Sequence, residues 1–323
     1  MNMSTASEIN TMIREKALSV GFSRIGFTNP VLAETTRSFY SRFVEEHGYA
    51  GMHYLRRYAP ERTDPGKLLP GVKTIIAVLL NYYPQIRIPE EDNFIISKYA
   101  YGEDHHIILK QRLQQLTSFM AAEWPGCTTR TFFDSGPVLE KMWAQRCGIG
   151  WQGKNTLLIT KKGGSFFFIG IIFTDLESAP DAPETDHCGT CDRCLKACPT
   201  GALEKPYQLN ISRCIAYQTI ENKKQIPEEI RGKLKDRIFG CDICQDVCPY
   251  NRFAEPHRVP EFNPSPELVH RRKKEWLEFG EPDFNRIFRR TALSRTGYSA
   301  LKRNILMGSC PAQADSPHRK AGK

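Results

Sequence analysis

Two cysteine-rich runs constrain this chain most strongly. Of its 11 cysteines, all but three fall in these runs, and each run ends in Cys-Pro. The runs are Cys188, Cys191, Cys194 and Cys198-Pro199, followed by Cys214, Cys241, Cys244 and Cys248-Pro249. The first has the CxxCxxCxxxCP spacing of bacterial ferredoxins, in which three thiolates bind one iron-sulfur cluster and the fourth binds its neighbour. The runs therefore predict two 4Fe-4S clusters.

The second run keeps only the CxxCxxxCP ending, so Cys214 stands in for the displaced first cysteine. Crossing the fourth ligands predicts two ligand sets. Cluster set A is Cys188, Cys191, Cys194 and Cys248, and cluster set B is Cys214, Cys241, Cys244 and Cys198. Structural zinc and a disulfide framework are the alternatives. Zinc does not require the CxxxCP endings, and disulfides are unusual in a chain of this length without a secretion signal.

Composition and length describe a globular chain. Its 323 residues, 40% of them hydrophobic, suffice for roughly one to three domains. The N-terminal residues contain neither a long apolar stretch nor a twin arginine, and no later segment reaches membrane-spanning length. We therefore expect a cytoplasmic protein without membrane contact, which suits thiolates that must stay reduced, and we expect a monomer.

The formal net charge of +9 and the pI near 9.0 favour a polyanionic partner, because lysines and arginines that neutralise phosphates release counterions. The basic residues crowd three segments, 223–237, 270–274 and 286–303. The alternative is that they form ordinary solvated helix faces.

An acidic stretch, 175–186, contains Pro180 and Pro183 and indicates a linker. Upstream, helical and strand patterns alternate and predict a three-layer α/β or α+β domain. The predicted helices there are 8–20, 31–46, 106–122 and 138–147; the predicted strands are 22–27, 72–83 and 128–134, with a hairpin over 156–174. After Asn251 the pattern predicts only helices, at 266–279, 283–290 and 292–307.

The upstream part has no P-loop, GxGxxG or zinc-protease motif. Its candidate functional residue is Asp134, which follows a predicted strand and directly precedes Ser135-Gly136-Pro137, a helix start. One interpretation is that Asp134 or Ser135 caps that helix. The other is a general acid, since an aspartate beside apolar walls can have its pKa raised.

Several motifs resemble the epoxyqueuosine reductases, cobalamin-dependent iron-sulfur enzymes that complete queuosine synthesis on tRNA. The resemblance extends over nearly the whole chain. The matching segments are 54–57 (YLRR), 96–100 (ISKYA), 134–141 (DSGPVLEK), 148–155 (GIGWQGKN), 239–249 (FGCDICQDVCP) and the two cysteine runs. Among these, GWxGKN and CDxCQDVCP are the most specific.

The resemblance implies an α+β protein. It comprises an α/β cobalamin-binding domain over 1–175, a bacterial ferredoxin-like domain with two 4Fe-4S clusters over 176–255, a helical tRNA-binding region over 256–310 and a disordered tail over 311–323. Electrons would pass from the clusters to base-off cobalamin, which reduces the epoxide of the modified wobble base. An external donor such as a flavodoxin or ferredoxin system would reduce the clusters.

In this family an aspartate protonates the departing oxygen, and Asp134 matches it. Burial over the corrin would have to hold the proton of Asp134 near neutral pH. The positions that match corrin contacts are Arg57, Ser97, Asp134, Asn155, Leu158, Ile169 and Asp242. The phosphates of an anticodon stem-loop would meet Lys223, Lys224, Arg231, Arg290, Arg295 and Arg303.

Some residues depart from these patterns. The cobalamin motif DxHxxG is absent, because Asp104-His105-His106 is not followed by the glycine, and both histidines are predicted to be ordinary helix-start residues. Cys127, Cys147 and Cys310 lie outside the runs and are predicted to be buried small hydrophobes. Many family members continue into a helical-repeat tail, so the short tail here would affect tRNA affinity more than chemistry.

Two other functions remain open. A reductive dehalogenase would use the same cofactors on small organohalides, although such enzymes usually carry a twin-arginine signal. A ferredoxin-like electron-transfer protein would use the upstream domain for docking.

Overall fold

The computed structural model describes residues 5–46 and 48–308, so Cys310 and the predicted tail over 311–323 lie outside the described residues. The helices are α1 Ala6–Ser19, α2 Glu34–Glu45, α3 Tyr54–Arg57, α4 Ala59–Arg62, α5 Pro65–Leu68, α6 His105–Glu123, α7 Glu140–Arg146, α8 Arg193–Ala197, α9 Ile215–Ile220, α10 Glu228–Arg231, α11 Ile243–Asp246, α12 Pro266–His270, α13 Lys273–Leu277, α14 Glu281–Phe288 and α15 Tyr298–Gly308. The strands are β1 Arg24–Thr28, β2 Thr74–Asn81, β3 Ile95–Ile96, β4 Thr129–Phe132, β5 Trp151–Gln152, β6 Leu158–Ile159, β7 Phe167–Thr174, β8 Leu203–Lys205, β9 Gln208–Leu209 and β10 Arg237–Phe239.

A four-stranded antiparallel sheet, in the order β1-β2-β7-β4, organises the N-terminal part. Its central strand β2 is buried over all but its last residue, as the continuous apolar run over 72–83 predicts. Ile76, Val78 and Leu80 point into a core with α1 and α6, whereas Ile75 and Leu79 point into a second core with α7. Helices on both faces of an antiparallel sheet make this a three-layer α+β domain, which confirms the predicted fold class.

The first helix shows how local sequence sets an element. At its start the Thr5 hydroxyl accepts the Glu8 amide, while the Glu8 carboxylate accepts the Thr5 amide at 2.7 Å, so α1 begins with a capping box. Ile9, Ile13 and Ala17 follow at helical spacing and are buried against the sheet. The predicted helix over 8–20 is therefore present.

The C-terminal helices share their core with an N-terminal segment. Trp276, Phe279 and Phe288 of this region pack against Phe94 and Ile96. The strand β10 pairs in parallel with β3, so the cysteine-bearing segment is attached to the N-terminal part by main-chain hydrogen bonds. The regions predicted over 176–255 and 256–310 thus pack onto the first one rather than separately.

Three predicted elements differ in the structure. The hairpin over 156–174 is wrong, because β6 pairs with β5 whereas β7 pairs with β2 and β4; only a single bridge joins Thr160 to Gly164. The predicted helix over 266–279 divides into α12 and α13, which the extended Arg271 and Arg272 separate. The predicted helix over 292–307 divides into a 3₁₀ turn, Ala292–Arg295, and α15, because Gly297 between them has a φ of +78°. Across residues 5–46 and 48–308, no helix combines the length and the apolar character needed to cross a membrane.

Gly26 provides a test of the packing between the sheet and α7. A Cβ at Gly26 would lie 1.9 Å from the Cys147 carbonyl oxygen and 2.8 Å from Ile149 Cγ2. We expect Gly26→Ala to lower the free energy of unfolding by about 2–3 kcal/mol, because the backbone must move to admit the methyl group. Urea denaturation measures this loss.

Gly280→Ala is the matched control, since its nearest atom to a new Cβ lies at 3.5 Å. We expect a loss of less than about 1 kcal/mol at this N-cap. Equal losses in the two variants would contradict the assigned packing of α7 on β1.

Candidate active site

The structure brings the four cysteines of cluster set A together. Cys188, Cys191 and Cys194 surround the start of α8, and Cys248 follows α11, which packs against α8. All four line one cavity of about 300 Å³. The ten cysteines within the described part of the chain are all free, so the structure gives no support to a disulfide framework.

Cluster set B lies deeper. The thiols of Cys198 and Cys241 are close enough to Cys214 for their charges to interact, and Cys244 interacts with Cys241 and Cys214. Burial raises the pKa of the Cys241 thiol to about 11 and that of Cys244 well above its ordinary value. Buried thiolates need a compensating cation, which bound iron provides. Cys244 also interacts with Cys194, so the two sets are neighbours.

A larger cavity, of about 960 Å³, lies between the N-terminal part and the cysteine-bearing segment. Its wall includes Cys214 of cluster set B, Asp134 and Arg295. A second cavity, of about 590 Å³, shares Arg62 and Asp134 with it. We call the larger one the central cavity.

Asp134 follows β4 in a left-handed conformation, with φ of +55°. Its amide donates to Glu140 Oε1 at 2.6 Å, which fixes this uncommon backbone conformation. Its Oδ2 lies 3.6 Å from His105 Nε2, 3.5 Å from His106 Nε2 and 3.9 Å from Arg295 Nη1. The carboxylate therefore faces three groups that can carry positive charge.

These neighbours decide the charge of Asp134. The His105 imidazole, followed by the charges of His106 and Arg295, lowers the pKa of Asp134 to about 2 and outweighs the effect of burial. This direction is opposite to the rise expected for an aspartate beside apolar walls. Its side chain also retains 53% exposure, so it is not enclosed by apolar walls. Asp134 is ionised at neutral pH.

Glu140 has the opposite environment. Burial, followed by the negative charge of Asp134, raises the pKa of Glu140 to about 8. The two neighbouring carboxyl groups are thus held in different protonation states. Glu140 favours the protonated form, whereas Asp134 is ionised beside positively charged groups.

His105 and His106 are functional candidates that the sequence analysis missed. Asp104 caps α6 by accepting the His106 amide at 3.0 Å, so the predicted helix start is present. Its carboxylate also lies 2.8 Å from His106 Nδ1, and this contact raises the pKa of His106. The His105 ring stacks on Phe168 at 4.3 Å between ring centroids. The available signal was three adjacent titratable residues, Asp104-His105-His106.

The predicted corrin contacts occupy different places. Ser97 and Asp242 are buried and bind one another, while Leu158 and Ile169 belong to the core around α7. Asn155 donates to the Cys244 carbonyl oxygen at 3.2 Å. Arg57 is exposed on α3, with its guanidinium 5.3 Å from the Tyr58 ring centroid. Of the predicted set, Asp134 lines the central cavity.

The predicted tRNA contacts also differ from one another. Lys223 donates to three carbonyl oxygens at 3.0 Å, and Arg303 donates to those of Gln218, Asn222 and Lys224, so both join neighbouring segments. Arg290 pairs with Glu103 at 2.5 Å. Arg295 pairs with Glu221 at 2.7 Å and lines the central cavity. Lys224 and Arg231 are exposed; Arg231 also donates through Nε to a carbonyl oxygen.

Two of the cysteines outside the clusters are buried or partly buried, as predicted. Cys147 is 1% exposed in the core around α7, and Cys127 packs at the edge of the core around α1 and α6.

Comparison with known proteins decides the family. Residues 62–135 match the family described as "Epoxyqueuosine reductase QueG, DUF1730", and residues 187–251 match the "4Fe-4S double cluster binding domain". The chain is 42% identical to the epoxyqueuosine reductase of Cellulophaga algicola, covering 94% of this chain and 99% of that one. The chain belongs to the epoxyqueuosine reductase family. The family assignment confirms the resemblance that the sequence motifs indicate.

Solved structures of epoxyqueuosine reductases have the same fold. One, with an epoxyqueuosine-modified tRNA-Tyr stem loop, is 31% identical with a TM-score of 0.86 over 94% of this chain and 81% of that one. Another, from Bacillus subtilis, has its catalytic aspartate loop swung out of the active site. It is 30% identical with a TM-score of 0.84 over 94% of this chain and 82% of that one.

Cys198 tests the crossed ligand sets. Because Cys198 lies in the first run but beside Cys214, we expect Cys198→Ala to lose the cluster of set B and keep that of set A. Iron would fall from about eight to about four atoms per reconstituted chain. Iron analysis and electron paramagnetic resonance measure this loss.

Cys127→Ala is the control and should retain all the iron, because Cys127 lies outside both sets. Full iron content in Cys198→Ala would contradict the crossed sets. Loss of all the iron would mean that the two clusters assemble as one unit.

Proposed function

We propose that this chain reduces epoxyqueuosine to queuosine at the wobble position of tRNA, with electrons supplied through two 4Fe-4S clusters and cobalamin. The observation that supports it most is the central cavity, which Cys214 of cluster set B and Asp134 both line. Electrons and protons can therefore reach the same space. The tRNA-bound family structure supports the same substrate class.

The cavities fit a large polar cofactor. The two cavities, of about 960 and 590 Å³, are both lined by Asp134. Glu61 Oε2 and Arg62 Nε at the wall are buried and have no hydrogen-bond partner among the described residues. Buried polar atoms without partners are costly, and an acceptor beside a donor favours a ligand with amide groups, which offer both. Cobalamin, when bound, would deliver the electrons that break the epoxide carbon–oxygen bond.

The number of clusters suits the reaction. Removing an epoxide oxygen as water takes up two electrons and two protons. Each 4Fe-4S cluster carries one electron, so the two neighbouring sets can together hold one pair. Cys214 places cluster set B at the central cavity, whereas the cysteines of cluster set A line a separate cavity.

Asp134 would deliver a proton to the departing oxygen through its carboxyl group. Its pKa of about 2 means that it must receive that proton during the reaction rather than store it. His106 Nε2, at 3.5 Å from Asp134 Oδ2, is placed to pass the proton on. Asp104 supports the protonated imidazole through Nδ1 at 2.8 Å. The proposed proton path therefore runs from His106 to Asp134, with Asp104 stabilising the protonated imidazole.

The substrate would enter past Arg295. Its guanidinium lines the central cavity and lies 3.9 Å from Asp134, where it can meet the phosphates beside a flipped wobble nucleotide. Lys224, Arg231 and Arg290 are exposed and remain proposed phosphate contacts. Lys223 and Arg303 would act by holding this surface together.

Asp134→Asn tests the proposed reaction. We expect the variant to bind both cofactors but to lower kcat about 10²- to 10⁴-fold, because the amide keeps the shape and cannot deliver the proton. The assay incubates reduced, reconstituted protein with epoxyqueuosine-containing tRNA and measures the product nucleoside by mass spectrometry.

Asp92→Asn is the matched control, since Asp92 has a similar φ of +53° and does not line the described cavities. It should react as the unchanged chain does. Wild-type turnover in Asp134→Asn would remove Asp134 from the mechanism, and no conversion by the unchanged chain would refute the proposed function.

The pH dependence of turnover tests the proton path. The pKa of His106 is raised above its ordinary value of about 6.5, so the protonated imidazole is present below that pKa and is lost as the pH rises through it. We therefore expect kcat to fall on the alkaline side, and His106→Gln to lower kcat and flatten this limb. Single-turnover rates between pH 5 and 9 measure it.

Glu140 also titrates in this range, with a pKa of about 8, so Glu140→Gln separates the two groups. His270→Gln, at an exposed position on α12, is the control for loss of a histidine. If Glu140→Gln alone removes the alkaline limb, His106 is not on the path.

A further inference from the structure

We propose that the face around cluster set A is the docking surface for an acidic protein that carries single electrons, with Arg193, Arg252 and Phe253 as its contacts. The proposal rests on the proposed function only in requiring that the two cysteine sets bind clusters. It concerns where electrons reach the chain, which the reaction at the central cavity leaves open.

The two cluster sets face different spaces. Cluster set B meets the central cavity through Cys214, where the tRNA would bind. Cluster set A lines the separate 300 Å³ cavity together with Arg193, Arg252 and Phe253. A donor at cluster set A can therefore deliver electrons while tRNA occupies the other side.

The charges around cluster set A favour an acidic partner. Arg193 and Arg252 are exposed and form no salt bridge with any residue that the structure describes. Two nearby acids pair with lysines, Asp192 with Lys196 at 2.8 Å and Glu184 with Lys161 at 3.2 Å. A third, Asp186, accepts the Cys188 amide at 2.7 Å and the Tyr207 hydroxyl. Two arginines are thus left to attract a negatively charged surface.

Phe253 adds an apolar contact beside these charges. Its side chain is 44% exposed at the end of the short helix that follows Cys248. The Arg252 guanidinium lies 4.5 Å from the centre of its ring. Aromatic residues and arginines are enriched in protein interfaces.

Lys154 fixes the loop that carries the first two cysteines of cluster set A. Its ammonium donates to the carbonyl oxygens of Gly189 and Cys191, at 2.5 and 2.9 Å, and so closes the loop that holds the first two ligands. Lys154 is therefore part of the cluster support, whereas Arg193 and Arg252 remain available to a partner.

The proposed step is an outer-sphere transfer. The carrier protein loses one electron, and the cluster bound by set A passes from the 2+ to the 1+ state without forming or breaking a bond. A second carrier molecule supplies the second electron after the first has moved to cluster set B. A reduced flavodoxin, an acidic flavin protein, is a carrier of this class.

The test compares the unchanged chain with Arg193→Glu/Arg252→Glu, both reconstituted with iron and sulfide and without tRNA or cobalamin. Stopped-flow absorbance follows cluster reduction by flavodoxin hydroquinone, and biolayer interferometry follows binding of oxidised flavodoxin. We expect the charge reversal to lower the second-order rate about 10-fold or more at low ionic strength and to weaken binding. Reduction by photoreduced deazaflavin, a small neutral donor, should be unchanged.

Lys110→Glu is the matched control, because Lys110 is an exposed lysine on α6 away from the cavity of cluster set A. The rate with flavodoxin should remain within about twofold of the unchanged chain, whereas Phe253→Ala should weaken binding and leave its salt dependence intact.

Wild-type rates and affinity in the double variant would overturn the proposal, as would an equal loss in Lys110→Glu. Competition by an anticodon stem-loop for the same face would overturn it too, since it would assign the arginines to tRNA. Rapid, arginine-dependent reduction by a chain that does not convert epoxyqueuosine would support the docking surface and refute the proposed function.

Discussion

A buried carboxylate between two cluster ligands joins the halves of this protein. Asp242, 8% exposed, lies next to Cys241 and accepts the Ser97 hydroxyl, the Lys98 amide at 2.8 Å and the Lys98 ammonium at 3.4 Å. A buried charge is tolerated only where such partners surround it, so this contact permits little displacement. Gly240 allows the approach, because a Cβ there would lie 2.4 Å from Ser97 Cβ. The position of cluster set B relative to the central cavity depends on this junction.

The same N-terminal part places the groups of the proposed proton path. The β4 strand ends at Phe132, α6 begins beside it, and the two bring Asp134 against His105 and His106. Glu140 at the start of α7 holds the Asp134 amide from the other side. Different neighbours keep Asp134 ionised and favour the protonated form of Glu140. Asp134 can therefore accept a proton, while Glu140 positions its backbone.

The two cluster sets face different sides of the molecule. Cluster set A faces an exposed surface with two arginines that form no salt bridge within residues 5–46 and 48–308. Cluster set B faces the central cavity, and Cys194 and Cys244 bring the sets together. Electrons and substrate can therefore arrive from different sides. The basic residues that sequence alone groups into one tRNA surface have different tasks, since Lys223 and Arg303 hold the backbone while Arg295 faces the cavity.

Local sequence determined the features that depend on neighbouring residues: the spacing of the cluster ligands, the buried strand β2, and most helix positions within a few residues. Local sequence did not predict strand pairing, because distant segments compete for the same neighbouring strand. The residues of β7 have strand character, but only the assembled sheet made β2 and β4 their partners instead of β6. Likewise, the pKa of Asp134 depends on His105, which lies far along the chain and reaches it because α6 packs on β7, the strand next to β4. Charge at a site is set by all groups within a few ångströms, and tertiary structure alone decides which those are.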